Sequence, residues 1–227
     1  LRTNSRGTNV ILDAASKDKK KVILTSSSEI YGKNGKVPYK EDDDRVLGPT
    51  TLYRWSYSCT KALAEYLALA FWKDKDLPIV ILRLFNTVGP RQLGKYGMVV
   101  PRFIERALEG TPLPVYGDGT QIRCFTYIDD VIRAIIDLSL CKDAMGEIFN
   151  IGTNEEISIK DLAKKVIQLT GSSSKIEYIP YEEAYGEGFE DMSRRVPDIS
   201  KIYKFIGWKP KVTIDELLIH MIAYSRS

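Results

Sequence analysis

Lys21–Gly32 reads KVILTSSSEIYG, and Arg54–Phe71 reads RWSYSCTKALAEYLALAF. The first stretch is a short apolar strand, 21–26, that ends in a run of hydroxyls, Thr25, Ser26, Ser27 and Ser28. The second belongs to a helix over about 54–73 that carries Tyr57 and Lys61. Four residues is slightly more than one helical turn, so the phenol and the ammonium share a face. A phenol ordinarily keeps its proton to about pH 10, and a neighbouring cation favours the phenolate. Tyr57 is therefore a candidate base near neutral pH, with Ser27 or Ser28 holding the same substrate hydroxyl from the strand end. Tyr and Lys at this spacing are more often a packed ring and a solvated amine. The serine strand beside them is what gives the pair weight.

Working outward, Pro78 opens a second strand, PIVILRLFN, rich in β-branched residues and without alternation, as suits a strand buried on both faces. Strand, helix, strand, helix predicts an α/β fold with a parallel sheet. Ligands bind such sheets at the carboxyl ends of the strands. Both polar clusters fall there: Ser26–Ser28 after the first strand and Asn86-Thr87-Val88-Gly89-Pro90-Arg91 after the second.

Upstream, 4–16 reads as an amphipathic helix with Val10, Ile11, Leu12, Ala14 and Ala15 on its apolar side. The loop 32–52, with Glu41-Asp42-Asp43-Asp44, reads as a solvated turn. Downstream, 98–109 is a helix, kinked or started at Pro101, and LPVYGDGTQIRCFTYI is a hairpin turning at Asp118-Gly119. Asp129 or Asp130 begins a helix through Leu140, and EIFNIG is a short strand. Ser158 with Asp161 caps a helix that Gly171 ends. KIEYIPY is a strand, followed by a Gly- and Glu-bearing loop, 182–193. Of two final helices, one closes at Gly207 and one opens with a capping box, Thr213 with Glu216.

The chain has 227 residues, 44% hydrophobic and 28% charged, with Lys and Arg exceeding Asp and Glu by 33 to 30. This is an ordinary globular composition, and its balance suggests neither a nucleic-acid nor a membrane partner. Cys59, Cys124 and Cys141 are odd in number and lack metal-ligand spacing, so they read as reduced thiols with no metal site. No apolar run approaches the roughly 20 residues that span a bilayer. A cytoplasmic location is expected. The single histidine, His220, reads as a packed or surface residue, and Trp208 as an aromatic packed on the Gly207 cap.

Ser-Ser-Ser-x-x-Tyr-Gly followed by Tyr-x-x-x-Lys resembles the extended short-chain dehydrogenase/reductases, the NAD-dependent nucleotide-sugar epimerases, dehydratases and decarboxylases. The resemblance covers essentially the whole chain. It implies a partial Rossmann-type parallel sheet in 1–92 and a smaller α+β substrate-binding region in 93–227, with a strand near 147–152 returning to the sheet. It implies Tyr57, Lys61, Ser27, Ser28 and Glu29 as catalytic residues. Tyr57, Lys61, Phe85 and Val88 would lie at the cofactor, NAD. Asn86 in LRLFNTVGPR would meet the substrate diphosphate. Arg123 in YGDGTQIRCFTYIDDV would grip the nucleotide diphosphate, which suits a guanidinium because it offers paired donors and stays charged. In FEDMSRRVPDISK, Arg194 or more closely Arg195, with Asp198, matches a second substrate-binding motif.

One family motif is missing: no G-x-x-G-x-x-G occurs in the 227 residues. That loop cradles the pyrophosphate of NAD at a helix N-terminus. The resemblance places the start of this sequence just before the family's fourth strand, about two to three βαβ-type units of roughly 30 residues further on. The first strand here would then be an apolar sheet edge, inviting a complementing N-terminal half. The favoured chemistry is UDP-sugar 4-epimerisation through a transient keto-sugar. Ser28-Glu29 resembles the Ser-Glu pair of UDP-glucuronate decarboxylases, which is the first alternative. A non-catalytic sugar-nucleotide-binding module is the second. Helices 4–16 and 54–73 resemble the family's dimer-forming pair, so a homodimer is expected.

Overall fold

The computed structural model describes residues 2–94, 98–185 and 192–227. At its centre β1 (Val22–Ser27), β2 (Ile79–Leu84) and β7 (Ile148–Ile151) form a parallel sheet in the order β1-β2-β7. The register sets Ser26 beside Arg83 and Arg83 beside Asn150. β2 is the middle strand, and Ile79 to Leu82 have no exposure, as its unalternating β-branched sequence requires. Alternate residues serve opposite faces. Ile79 and Ile81 pack with Leu12 of α1 (Thr8–Lys17) and Ala68 of α2 (Trp55–Lys75). Val80 and Leu82 pack with Val131, Ala134 and Leu138 of α4 (Ile128–Leu140) and with Trp208. β1 is only partly buried, and its edge away from β2 pairs with no strand among the described residues.

A second core gathers α3 (Val99–Leu108), α5 (Ile159–Thr170) and α8 (Ile214–Arg226) around the short strands β4 (Leu113–Tyr116), β6 (Thr126–Tyr127) and their neighbours. The caps form as the sequence indicates. Ser158 Oγ accepts from Asp161 N, Gly171 and Gly207 end their helices at positive φ, and Thr213 with Glu216 makes the capping box. Trp208 is buried, its Nε1 donating to Asp130 O at 3.0 Å. Among the described residues no helix is long and apolar enough to cross a membrane, and no group of three or more His, Cys, Asp or Glu gathers as a metal site.

Five expectations are corrected. The hairpin at Asp118-Gly119 does not exist: β4 pairs in parallel with β9 (Ile176–Ile179), and β5 (Ile122–Arg123) pairs antiparallel with β8 (Ile157–Ser158). Asp118-Gly119 is still a turn, held by Asp118 Oδ1 accepting from Thr120 N at 2.9 Å. In the first helix only Leu12 is buried. Val10 and Ile11 are 56% and 60% exposed, and the segment begins as a π-helix, Thr3–Gly7. The acidic loop is not merely solvated, because Glu41 Oε1 accepts from Asn150 N at 2.8 Å, and burial raises the Glu41 pKa. Finally, α4 starts at Ile128 with Tyr127 as its cap, so Asp130 lies inside the first turn, buried. Of the loop expected over 182–193, the first residues form α6 (Tyr181–Tyr185), and 186–191 lie outside the described residues.

Candidate active site

The carboxyl end of β1 runs directly into a single 3-10 turn, Ser28–Tyr31. Ser27 Oγ caps that turn by accepting from Glu29 N at 3.3 Å. Gly32 ends it at φ +62, where a Cβ would stand 2.0 Å from Val46 O, so only glycine fits. Ser28 is buried, and Ser26 Oγ is buried without a hydrogen-bond partner. The turn packs against α2, which brings the serines to the helix that carries Tyr57 and Lys61.

Tyr57 is 43% exposed, its ring presented outward. Lys61 Nζ lies 5.9 Å from the Tyr57 ring centroid and donates to Thr25 O at 2.8 Å. Burial lowers the Lys61 pKa, and the charge of Glu65 opposes that shift. Lys61 and Thr25 also line a cavity of about 830 Å³ between α1 and β1, together with Asn4, Ile11 and Leu24.

Glu29 faces two cations. Its carboxylate lies 2.7 Å from Arg195 Nη2 and 3.7 Å from Arg54 Nη2. Arg195 is buried, and its Nε has no hydrogen-bond partner. Arg123 is also buried, with Nη1 donating to Ile122 O and Met192 O at 2.8 Å. Burial raises the Tyr39 pKa, and the charges of Arg195 and Arg123 oppose that shift. Arg194 instead pairs with Glu156 on the exposed side.

The remaining expected residues are placed differently. Asn86 adopts φ +23 and ties the end of β2 to the neighbouring segment, its Nδ2 donating to Cys124 O at 2.9 Å. Phe85 is fully buried against Tyr31, and Val88 lies in the second core. Neither lines the cavity beside Lys61. Asp198 caps the turn into α7 (Ser200–Ile206), Oδ1 accepting from Ser200 N at 2.8 Å, a task for the fold.

The structure adds groups that sequence reasoning passed over. Arg54 was within the quoted helix but was not singled out. Arg83, a cation inside the apolar run of β2, and Glu65, four residues beyond Lys61, are both buried and joined: Arg83 Nη2 lies 2.8 Å from Glu65 Oε2.

A three-stranded parallel sheet with a serine turn at one strand end and a Tyr/Lys pair on the next helix is the arrangement expected from the resemblance to the short-chain dehydrogenase/reductases. Residues 1–221 match the family described as GDP-mannose 4,6 dehydratase, and the chain belongs to it. The chain is 46% identical over 227 residues to a UDP-N-acetyl-alpha-D-glucosaminuronate decarboxylase of Bacillus cytotoxicus, covering all of this chain and 70% of that protein. It is 34% identical to UDP-glucuronic acid decarboxylase 1 of Xenopus tropicalis, covering 100% of this chain and 52% of that protein. The chain thus spans only about half the length of the latter. Among solved structures, UDP-glucuronic acid 4-epimerase of Bacillus cereus, in complex with UDP-glucuronic acid and NAD, aligns with a TM-score of 0.86 at 31% identity over 99% of this chain and 68% of its own. An epimerase of Methanothermobacter thermautotrophicus aligns with a TM-score of 0.89 at 27% identity over 100% of this chain and 65% of its own. NAD is the cofactor of the family. These relatives favour the decarboxylase alternative over 4-epimerisation.

Proposed function

We propose that this site oxidises and decarboxylates a UDP-linked uronic acid, with UDP-glucuronate or its 2-acetamido counterpart as substrate class. The observation that carries the reading is Glu29 held by Arg195 at the end of the serine turn. An epimerase that only removes and returns a hydride has no need of a guanidinium–carboxylate pair there. A uronate brings its own carboxylate, and Arg195 offers it donors.

The chemistry that bound NAD would supply here is reversible hydride acceptance at C4 of the sugar. The residues present fit its nicotinamide-ribose end: Lys61 lies on a cavity wall with the polar neighbours Thr25 and Asn4. They supply no phosphate cradle, since the Gly-rich loop is not in this sequence. Tyr57 takes the proton from the C4 hydroxyl, and Ser27 or Ser28 hydrogen-bonds the same oxygen as it becomes a carbonyl. A C4 ketone is β to the C6 carboxylate, so loss of carbon dioxide leaves an enolate that the carbonyl stabilises and that takes a proton from solvent at C5, regenerating the ketone. Arg195 with Arg54 orients the carboxylate, and the Tyr57 phenol, now protonated, restores the alcohol at C4. Asn86 and Arg123 hold the diphosphate end, and Asp198 supports them only through its cap.

The same reading extends to assembly. Leu63 and Tyr66 of α2, 44% and 63% exposed, lie on the outside of the α1–α2 pair and suit a homodimer, which sedimentation velocity tests. The open edge of β1 suits a complementing segment that supplies the cofactor cradle. The deciding experiment supplies the protein with NAD and UDP-[6-¹³C]glucuronate or its 2-acetamido analogue. Release of ¹³CO₂ with a UDP-pentose product supports the reading. A C4 epimer that keeps its carboxylate overturns it.

A further inference from the structure

Arg83 stands in the middle strand at the level of the serine turn, 6% exposed. Its guanidinium reaches two different parts of the site. On one side, Nε donates to Glu65 at 3.1 Å and 3.3 Å and Nη2 donates to Glu65 Oε2 at 2.8 Å. Glu65 is on α2, one turn beyond Lys61 and two beyond Tyr57, so positions 57, 61 and 65 run down one strip of the helix. On the other side, Nη1 donates to Tyr31 Oη at 2.9 Å and to Glu41 O at 2.7 Å. Tyr31 is the last residue of the 28–31 turn and in its turn donates to Asn150 Oδ1 at 2.7 Å. Burial disfavours the charged guanidinium, but hydrogen bonds and charge from Glu65 and Tyr31 outweigh it and hold the Arg83 pKa above its ordinary value.

We propose that Arg83 is the positioning residue that locks the Tyr57/Lys61 helix to the Ser27–Glu29 turn. The inference rests on the reading of those two segments as one active site. The geometry explains why a charge stands in a strand whose other residues are all aliphatic. A planar fork fixes two partners at set angles, whereas an aliphatic side chain at 83 would fill the space and fix neither. A bidentate pair sets the rotation of α2, and a hydrogen bond to a buried phenol sets the end of the turn. Because both meet on one guanidinium, the distance between turn and helix is fixed rather than left to two independent contacts. Removing one partner of a buried pair leaves the other uncompensated, so loss of either arm is costly.

The test reads geometry in the 227-residue chain without substrate, so it stands whatever the reaction proves to be. Amide hydrogen exchange is followed in wild type, Arg83→Lys, Glu65→Gln and Tyr31→Phe, with ¹³C-labelled tyrosine reporting Tyr57. Glu65→Gln should raise exchange about tenfold in the first turns of α2 and shift the Tyr57 signal, leaving 28–31 nearly unchanged. Tyr31→Phe should do the reverse. Arg83→Lys, which keeps the charge and loses the fork, should loosen both segments while the β2 and β7 amides keep wild-type protection. The proposal is overturned if Arg83→Lys affects only one segment or neither. It is equally overturned if all three variants loosen the whole sheet alike, which would make Arg83 a general stabiliser. Should Arg83→Lys fail to fold, the opposed patterns of the two milder variants decide: separate patterns support two arms meeting at Arg83, and identical ones overturn it.

Discussion

Arg195 Nη2 lies 2.7 Å from Glu29 Oε1, and this contact joins the turn after the first strand to a segment near the end of the chain. The arginine side chain is 8% exposed and the glutamate 24%, so the pair is shielded from bulk water on one side only. Charge-assisted hydrogen bonds of this kind are worth roughly 1.5–3 kcal/mol. A substrate carboxylate that enters here competes with Glu29 for the same guanidinium.

Glu29→Gln is therefore expected to separate the two halves of the reaction. Oxidation at C4, which depends on Tyr57, should continue, and carbon dioxide release should fall by about 10- to 100-fold, equivalent to roughly 1.4–2.7 kcal/mol in the barrier. Stopped-flow absorbance of reduced cofactor alongside ¹³CO₂ detection measures both. Equal loss of the two signals would show that Glu29 serves the site as a whole and not the carboxylate.

Tyr57→Phe removes the candidate base and keeps the ring, which is 43% exposed. General acid–base groups contribute about 10²–10⁴ in rate. Turnover should drop by that factor while substrate affinity, measured by calorimetry, and the melting temperature stay near wild type. A variant that keeps full activity would remove Tyr57 from the mechanism.

The parts of the molecule that were legible in sequence are those whose signal is local. PIVILRLFN announces a strand buried on both faces because it is rich in β-branched residues and lacks polar alternation, and Tyr57 and Lys61 declare one helix face by spacing alone. Capping residues at Ser158, Thr213 and Gly207 act on their own backbone. What was misread depends on partners far away. The turn at Asp118-Gly119 looks like a hairpin, yet Leu113 pairs with Ile176 and Ile122 with Ser158, which no local pattern reveals. Val10 and Ile11 look like a core face, but the side they turn to is the open edge of β1. Glu41 was hidden in an acidic run, and Arg83 with Glu65 sit on different elements, so their pairing had no signature in either segment.

Asp129 and Asp130 are adjacent and read alike in sequence, but the structure sets them apart. Asp130 is buried, accepts from Lys211 N at 2.8 Å and Val212 N at 3.0 Å, and pairs with Arg133. Asp130→Asn keeps the shape and loses the charge, leaving backbone donors and a guanidinium poorly matched. A cost of about 2–3 kcal/mol is expected. For a chain of this size that corresponds to a fall in Tm of roughly 4–12 °C. Asp129→Asn, at an exposed position, should change Tm by about 2 °C or less. Thermal unfolding by circular dichroism measures both, and equal effects would contradict the anchoring role of Asp130.

Tyr31 gives the fold an alkaline limit. Burial raises its pKa to about 12, against the opposing charge and hydrogen bond of Arg83 and the hydrogen bond of Asn150, whereas a free phenol ionises near 10. A group whose folded pKa is raised contributes stability that is complete below the unfolded value and is lost as pH rises through the folded one. Below pH 10 both states hold the proton and nothing changes. Between pH 10 and 12 the unfolded chain releases it and the folded chain does not, so unfolding is favoured progressively, by roughly 2–3 kcal/mol across the window. Urea unfolding at steps from pH 9 to pH 12 should show that decline, and Tyr31→Phe, though less stable at neutral pH, should show a shallower one. Absorbance at 295 nm provides the independent check: among the 13 tyrosines, Tyr31, Tyr39 and Tyr127 are raised by burial, and the variant should show one delayed ionisation fewer than wild type. If the two proteins decline in parallel, the alkaline limit lies with other residues and the Tyr31 phenol is not held by its burial.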